Sequence, residues 1–540
     1  FDTFANLELS TIGNIYQSLV ARDNLNAKYI LQPSTYSAVA GDATLANGLV
    51  AKLQGVNLNN DLSQSYTFKT VALMQASTIA FPAGKKIFWQ GYYAESDGGN
   101  NWGLVTSGTH TEDGGSKFTL ADGKYVAANL KGKAVSILKF GAKGDGVTDD
   151  TLRIQATLNY AVGRTTVVPY TENSFIFTTL IVSQGGTFKG KGGTLKLKDG
   201  TCSNASTSYF LIHSSGNTET TYDSLKIDGN KANNTLFLVA DAITATGFKT
   251  VVKGCVIDNP PDSGIMFSDV IRGACIDNYI EGAPDVGIYV NGSTYAIEGD
   301  SIVSRNRIRS CVYGGIAIKR ESNGVLVSNN SIIACGNGIT HEDFGVGLGG
   351  HPRNIQILNN FMKNIGYPFR GQPNLAEAGM QLNRLTDSVV SGNTIVNCSG
   401  NLLAISGGVD SVISNNKLRG YVTNPNPSGN NGMFIGKRTD TGNASVTEST
   451  DLTITGNNIN GVDDKGIWAF DSSKNLTITS NNIKAVGSGV RINGTTENVT
   501  ITTNIVDSDV VDLELFSGQT NLRSFDNTLI NNPADYRTHS

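Results

Sequence analysis

Beyond about residue 250 the chain settles into a ladder of short apolar runs separated by polar turns. An Asn- or Gly-rich turn precedes an aliphatic residue at Val256, Ile280, Ile308, Ile332, Met362, Ile395, Leu418, Ile459, Ile483 and Ile505, in steps of 24, 28, 24, 30, 33, 23, 41, 24 and 22 residues. A second run recurs in most coils as glycine, apolar, any residue, apolar: Gly264-Ile-Met-Phe, Gly287-Ile-Tyr-Val, Gly315-Ile-Ala-Ile, Gly338-Ile-Thr-His, Gly379-Met-Gln-Leu, Gly432-Met-Phe-Ile, Gly466-Ile-Trp-Ala and Gly489-Val-Arg-Ile. Alternation with a period of two marks a strand with one face inward and one outward. A base step near 23 residues with insertions is the mark of a parallel β-helix coil, in which equivalent positions stack about 4.8 Å apart. The repeats are too short and polar for paired solenoid helices.

The cysteines follow the same register. Cys311, Cys335 and Cys398 lie three residues after a ladder aliphatic, where other coils carry Ala283, Ile365, Val462 or Val486. That position reads as an inward core stack in which Cys is a small hydrophobe. The six cysteines have no zinc-type clustering and do not demand an oxidising compartment.

Between the repeats and what precedes them lies Gly141-Ala-Lys-Gly-Asp-Gly-Val-Thr-Asp-Asp-Thr-Leu-Arg-Ile-Gln155, after the β-like run Ala134-Val-Ser-Ile-Leu-Lys-Phe140. Its glycines and Asp145 predict a turn. Thr148 or Asp149 then caps a helix to about Val162, with Ile154, Leu158 and Ala161 as its apolar stripe. A short helix laid across the open end of a coil stack protects the exposed strand edges. The motif lacks the Lys-Ser/Thr of a phosphate loop. Upstream, residues 7–21 suggest a weak helix and residues 26–53 short strands. Alternating apolar segments with turns at Asp97-Gly-Gly and Asp113-Gly-Gly115 predict a small β-rich domain. The expected divisions are an N-terminal segment (1–66), the β-rich domain (67–136), the coils (137–515) and a tail (516–540).

Composition narrows the functional classes. Of 540 residues, 16% are charged and 62 are Gly, which suits strands and tight turns. A net charge of −4 argues against nucleic acid or an anionic membrane as partner. No apolar run reaches membrane-spanning length. No motif calls for a metal or cofactor.

The Gly141–Thr151 motif followed by coils resembles the pectate-lyase-like superfamily of right-handed parallel β-helices. The segment Gly91-Tyr-Tyr, Asp97-Gly-Gly, Asp113-Gly-Gly115 resembles the neck of bacteriophage tailspikes, and the two resemblances cover roughly residues 68–515. They imply a homotrimeric tailspike on the virion that binds and cleaves a bacterial surface polysaccharide. Residues 1–66 would then lie towards the phage tail or baseplate proteins. The resemblance also leads one to expect a large C-terminal trimerisation or carbohydrate-binding domain, and residues 516–540 read only as a short tail.

Counting forward from each signature glycine predicts the outward stripe. At plus four stand Ser268, Asn291, Lys319, Glu342, Asn383, Gly436 and Phe470; at plus five stand Asp269, Gly292, Arg320, Asp343, Arg384, Lys437 and Asp471. Glycoside hydrolysis needs one carboxylic acid for the leaving oxygen and a second carboxylate as nucleophile or base. Glu321, Glu342 and Asp343 are the candidate catalytic residues. Lys319, Arg320, Arg384, His341 and Asn383 are candidate substrate contacts, with Tyr367, Phe369 and Trp468 as stacking surfaces beside long insertions. Asp440, Asp464 and Asp471 form a second candidate cluster. The alternatives are a lyase using Lys319, Arg320 and His341, with Asp269 or Asp343 as calcium ligands, a non-catalytic receptor-binding spike, and a purely structural β-helix whose charges form a surface ion-pair ladder.

Overall fold

The repeats close into three long parallel sheets of 15, 14 and 13 strands, to which each coil contributes in turn. This computed structural model describes residues 66–531 apart from 133, 183–184, 215–218, 292–299, 320–321, 343–351, 367–377, 421–430, 440–445, 472 and 517. Of residues 1–65 it describes only the strands Tyr29–Leu31, Ala43–Thr44 and Val50–Leu53, which form a small antiparallel sheet. The helix expected over residues 7–21 lies outside the described residues.

One turn explains the repeat. In coil after coil a residue with positive φ precedes a buried asparagine: Asp277 (58°), Arg305 (56°), Asn329 (56°), Asn359 (55°), Gly392 (68°), Asn415 (55°) and Gly456 (66°). The left-handed region is costly for most residues and tolerated by Gly, Asn and Asp, hence the turn composition. The next residue points inward: Asn278, Asn306, Asn330, Asn360, Asn393, Asn416, Asn457, Asn481 and Asn504 are all buried. Each Oδ1 accepts from the preceding coil. Asn360 donates its backbone N–H and its Nδ2–H to Asn393 Oδ1, both at 2.9 Å, and its other Nδ2 hydrogen to Val327 O at 2.9 Å. The ladder leaves these buried polar groups paired, as the interior requires.

The aliphatic column runs beside it, with Ile280, Ile308, Ile332, Met362, Ile395, Leu418, Ile459 and Ile483 paired coil to coil. At its ends the interior residues are Ile257 and Val506. Val256 and Ile505 stand one position off, and a one-residue slip moves a side chain to the other face. Cys311, Cys335 and Cys398 are buried in the core with Ala283, Ile365 and Val462. A register shift in the Asn458–Val462 pairing puts Ala485, and not the exposed Val486, in that column.

At the N-terminal end the strand Ala134–Ser136 passes into a 3₁₀ turn, Ile137–Phe140, where a longer strand was expected. The helix is Thr151–Tyr160, with Ile154, Leu158 and Ala161 buried. Its cap differs from the expectation. Asp150 reaches back to accept the Lys143 and Gly144 amides at 2.7 and 3.0 Å, and Asp149 accepts the Thr151 amide at 3.0 Å. Gln155 spends its amide on the edge strand Leu180–Val182, accepting from Ile181 N at 2.8 Å and donating to Ile181 O at 3.0 Å. A side chain thus satisfies an otherwise open strand edge. At the other end, Arg523–Phe525 and Thr528–Leu529 extend two sheets past residue 515.

Contacts divide the chain into two compact units: residues 1–95, 100–111 and 117–129 in one, and 96–99, 112–116 and 130–540 in the other. The first holds a five-stranded sheet around Met74, Ile87, Trp89, Phe118 and Val126. The Asp-Gly-Gly segments are turns held by their own aspartates: Asp97 accepts Gly99 N at 2.8 Å, and Asp113 accepts Ser116 N at 2.7 Å.

Candidate functional site: a three-aspartate pocket

Strand pairing aligns Ser268, Asn291, Lys319 and Glu342 as one row, as the count from glycine predicts. Glu321, Asp343, Arg320, Tyr367, Phe369 and Asp440 lie outside the described residues, as do the side chains of Glu342 and Asp269. His341 differs from the expectation: it occupies the inward column between Ile318 and Leu382 and is fully buried, its Nδ1 against the Asn383 carbonyl. It sits at plus three, and alternation sends odd positions into the core. Asn383 and Arg384 are also buried, at 4% and 7% exposure.

Lys319 is brought to a cavity of about 300 Å³ lined by Val239, Asp241, Asp262, Ser263, Met266, Asp285, Tyr289 and Asn291. The aspartates come from successive coils. The chain pairs Ile243 with Ile265 and Ile265 with Ile288, so Asp241, Asp262 and Asp285 enter neighbouring strands almost side by side, about 4.8 Å per coil. Asp285 Oδ2 accepts from Tyr289 OH at 2.7 Å and from Ser263 Oγ at 3.3 Å. Lys319 Nζ donates to Tyr289 OH at 2.8 Å, with the ammonium 4.2 Å from the ring centre. Asp262 Oδ2 accepts the Ala240 amide at 3.3 Å.

Three carboxyls so close cannot share one charge state. Burial, then the charge of Asp285, pushes Asp262 up to about 6, against smaller opposing effects of the Ala240 amide and Lys319. Asp241 is fully buried, and burial followed by the charges of Asp262 and Asp285 holds it well above the usual carboxylate range. Among the described residues neither of its oxygens makes a hydrogen bond of ordinary geometry. The pocket thus sets two carboxyls with raised proton affinity, Asp241 and Asp262, beside Asp285, which accepts two hydroxyls.

The raised Asp262 has a stability consequence. Its folded form binds a proton more tightly than the unfolded chain does, so its contribution is fully present below about 3.8 and is lost as pH rises through about 6. Asp262→Asn is expected to melt above the parent at neutral pH and level with it near pH 4, which paired thermal melts would check.

These aspartates were legible in a direction the forward count did not take. Asp262 and Asp285 sit two residues before signature glycines, in Pro261-Asp-Ser-Gly264 and Pro284-Asp-Val-Gly287. Asp241 has no such marker, because Ala242 stands where the glycine would be. Asp464 also lies two before a glycine, on a later coil. It pairs with Lys465 at 2.5 Å, and Lys437 pairs with Asp471. Trp468 lies on the strand Lys465–Phe470 between these pairs.

Among the described residues no group of three or more His, Cys, Asp or Glu is disposed to hold a metal, and no helix is long and apolar enough to cross a membrane.

Comparison with known proteins places this geometry. A family model described as a right handed beta helix region matches residues 187–362 and 241–418, and the model for periplasmic copper-binding protein NosD matches 365–540. Copper is said of that family alone: in the matched range the soft side chains Met380, Cys398 and Met433 are buried core residues, and its one histidine, His539, lies outside the described residues. In sequence the chain is similar to a Klebsiella phage K5-2 protein, "Depolymerase 1, capsule K30/K69-specific", 29% identical over 167 residues. That match spans 29% of this chain and 20% of the relative. In structure it is similar to the A-module of mannuronan C-5 epimerase AlgE6 from Azotobacter vinelandii, at TM-score 0.55 and 17% identity, covering 74% of this chain and all of that one. It is equally similar to an N-terminal fragment of bacteriophage phi29 gene product 12, at TM-score 0.55 and 16% identity, covering 74% and 71%. The fold is a right-handed parallel β-helix, and the resemblance to phage polysaccharide depolymerases that the sequence suggests is met by the Klebsiella phage relative.

Proposed function

We propose that the chain is a phage tailspike depolymerase that hydrolyses a bacterial capsular or O-antigen polysaccharide at the Asp241, Asp262 and Asp285 pocket. The observation that carries this reading is the unequal pair. Asp262, raised to about 6, holds a proton it can give to a leaving glycosidic oxygen, and Asp285 one coil away, oriented by two hydroxyls, is the second carboxyl that hydrolysis needs. Tyr289 and Ser263 orient Asp285, and Asp241 keeps the pocket's charge low by staying protonated. The phage depolymerase relative supports the substrate class, and the spike is proposed to act as a homotrimer at the bacterial surface.

The charge balance favours hydrolysis over elimination. Among the described residues of the pocket, three aspartates face one ammonium, Lys319. Elimination beside a uronate needs the sugar carboxylate neutralised, and Lys319, the one cation among the described lining residues, is already engaged with Tyr289. One contact favours the second reading: the Lys319–Tyr289 hydrogen bond is a base and acid pair that a lyase could use. Incubation with capsular polysaccharides, K30 and K69 among them, decides the matter. Shortened chains without an unsaturated, ultraviolet-absorbing product support hydrolysis, and shortened chains with one support the lyase. A polymer that is bound and never shortened makes the protein a receptor-binding spike.

Two outcomes are expected for the pH profile and for Tyr289. The acid must hold its proton, so kcat/KM falls as pH rises through about 6. Asp262→Glu should shift that limb. Tyr289→Phe removes one of the two hydroxyls on Asp285 and is expected to lower kcat by about tenfold with KM little changed, which initial-rate kinetics would check.

A further inference from the structure

We infer that Phe434, Trp468 and Phe470 form a second carbohydrate-binding site, which holds a distant stretch of the same uncharged or charge-balanced polymer. The inference rests on the polysaccharide reading above and adds a second point of contact to it.

The platform lies on the same sheet as the pocket and in the same row. Tyr289 pairs through Ala317, Thr340, Gln381 and Ala404 to Phe434 and then Trp468. Six coil steps separate Tyr289 from Trp468, or about 29 Å at 4.8 Å per coil. A polymer running along the coil axis therefore passes both sites, and a single sugar does not.

The platform has the two-sided chemistry a pyranose needs. Phe434 and Phe470 meet the indole edge-on, with centroids at 5.3 and 5.4 Å, and Phe470 remains 37% exposed on a polar solenoid surface. The indole is held in place, its Nε1–H donating to Asn493 Oδ1 at 2.6 Å. Lys465 Nζ lies 4.6 Å from its centroid, and the Arg491 guanidinium 4.5 Å from Phe516. Aromatic faces accept the C–H face of a sugar, and the surrounding polar groups take its hydroxyls.

Charge sets the class of sugar. Among the described residues the rim's cations are matched: Lys437 with Asp471, Lys465 with Asp464, and Arg491 with Glu514 at 3.7 Å. The rim offers donors and acceptors with no net charge, which suits hydroxyls and amides over a polyanion. Three rings offer far less area than the roughly 800 Å² per partner of a stable protein interface.

Linking two weak sites through one chain raises the affinity for long polymer far above that for either alone. The test is made in the Asp262→Asn, Asp285→Asn background, so that nothing is cut during the measurement. The intact protein is titrated against purified Klebsiella capsular polysaccharides, K30 and K69 included, by affinity electrophoresis. The parent is expected to be retarded by at least one polymer. Trp468→Ala should weaken that retardation about tenfold, the equivalent of one lost stacking contact, and Trp468→Phe should restore most of it. Phe470→Ala provides an independent loss should Trp468→Ala fail to fold. Retardation of Trp468→Ala and Phe470→Ala equal to the parent overturns the inference, and so does a parent that binds no polymer of the panel. The hydrolase reading fails separately: unsubstituted protein that is retarded by a polymer but never shortens it refutes the catalytic pocket and leaves this site standing.

Discussion

Asp262→Asn should lower depolymerisation by about 10²–10⁴-fold, the usual worth of a general acid. The substitution keeps the shape of the side chain and its acceptor oxygen for the Ala240 amide, so the pocket is preserved and only the transferable proton is lost. The loss should fall on kcat more than KM, because the proton moves only in the transition state. The limb near pH 6 should vanish with it, since the group that produces it no longer titrates. Asp285→Asn should lose a comparable factor for a different reason, as an amide neither activates water nor attacks the anomeric carbon. Reducing-end release from a capsule that the unsubstituted protein shortens is the measurement. Full activity in Asp262→Asn would move the acid to another carboxyl, with Glu321, Glu342 and Asp343 the first to replace.

The contrast between what the sequence disclosed and what it concealed has a physical basis. The coil repeat was visible because one backbone requirement recurs: a left-handed residue, then an asparagine that must face the core, as at Asn329-Asn330 and Asn415-Asn416. Any chain closing such a turn reuses the same few residue types. The pocket obeys no such rule. At two residues before the glycine the chain carries Asp262, Asp285, Tyr313, Gly336, Glu377, Asn430, Asp464 and Gly487, so chemistry there is not periodic. Asp241, Asp262 and Lys319 meet only because coils stack, and Asp241 follows an irregular coil that the period does not reach. Lys319 was found because it lies on the regular row. His341 was misplaced for the opposite reason: its chemistry drew attention, while its odd position sent it inward. Fold therefore followed from the constraint every coil shares, and the site from what individual coils add to it.

The same asparagine column makes the second large prediction. Asn393→Leu is expected to destabilise the protein by about 3–5 kcal/mol, at the severe end for a single substitution. Leucine is close in volume, so the cost is not a cavity. Asn393 Oδ1 accepts from Asn360 N and Asn360 Nδ2, each at 2.9 Å, and its own Nδ2 donates to Ile357 O at 2.8 Å and to Asn416 Oδ1 at 3.0 Å. Leucine leaves the Asn360 N–H and one Asn360 Nδ2 hydrogen without their acceptor and takes a donor from Ile357 O on that same coil, while Asn416 Oδ1 keeps the backbone N–H of residue 393 at 3.0 Å; each buried group so orphaned costs about 1–3 kcal/mol less whatever relaxation recovers. Position along the stack matters as well. A coil stack is held by nearest-neighbour interfaces, so a defect at Asn393 uncouples coils on both sides, and the same change at Asn504 near the last coils has fewer to uncouple. Asn504→Leu should therefore cost less, and the exposed Asn458→Ala should stay within about 0.5 kcal/mol of the parent. Because a chain of this size unfolds through more than two states, the comparison is best read from unfolding rates in denaturant and from amide exchange along the column. Equal rates for Asn393→Leu and Asn458→Ala would show that core packing, and not the asparagine ladder, holds the coils in register.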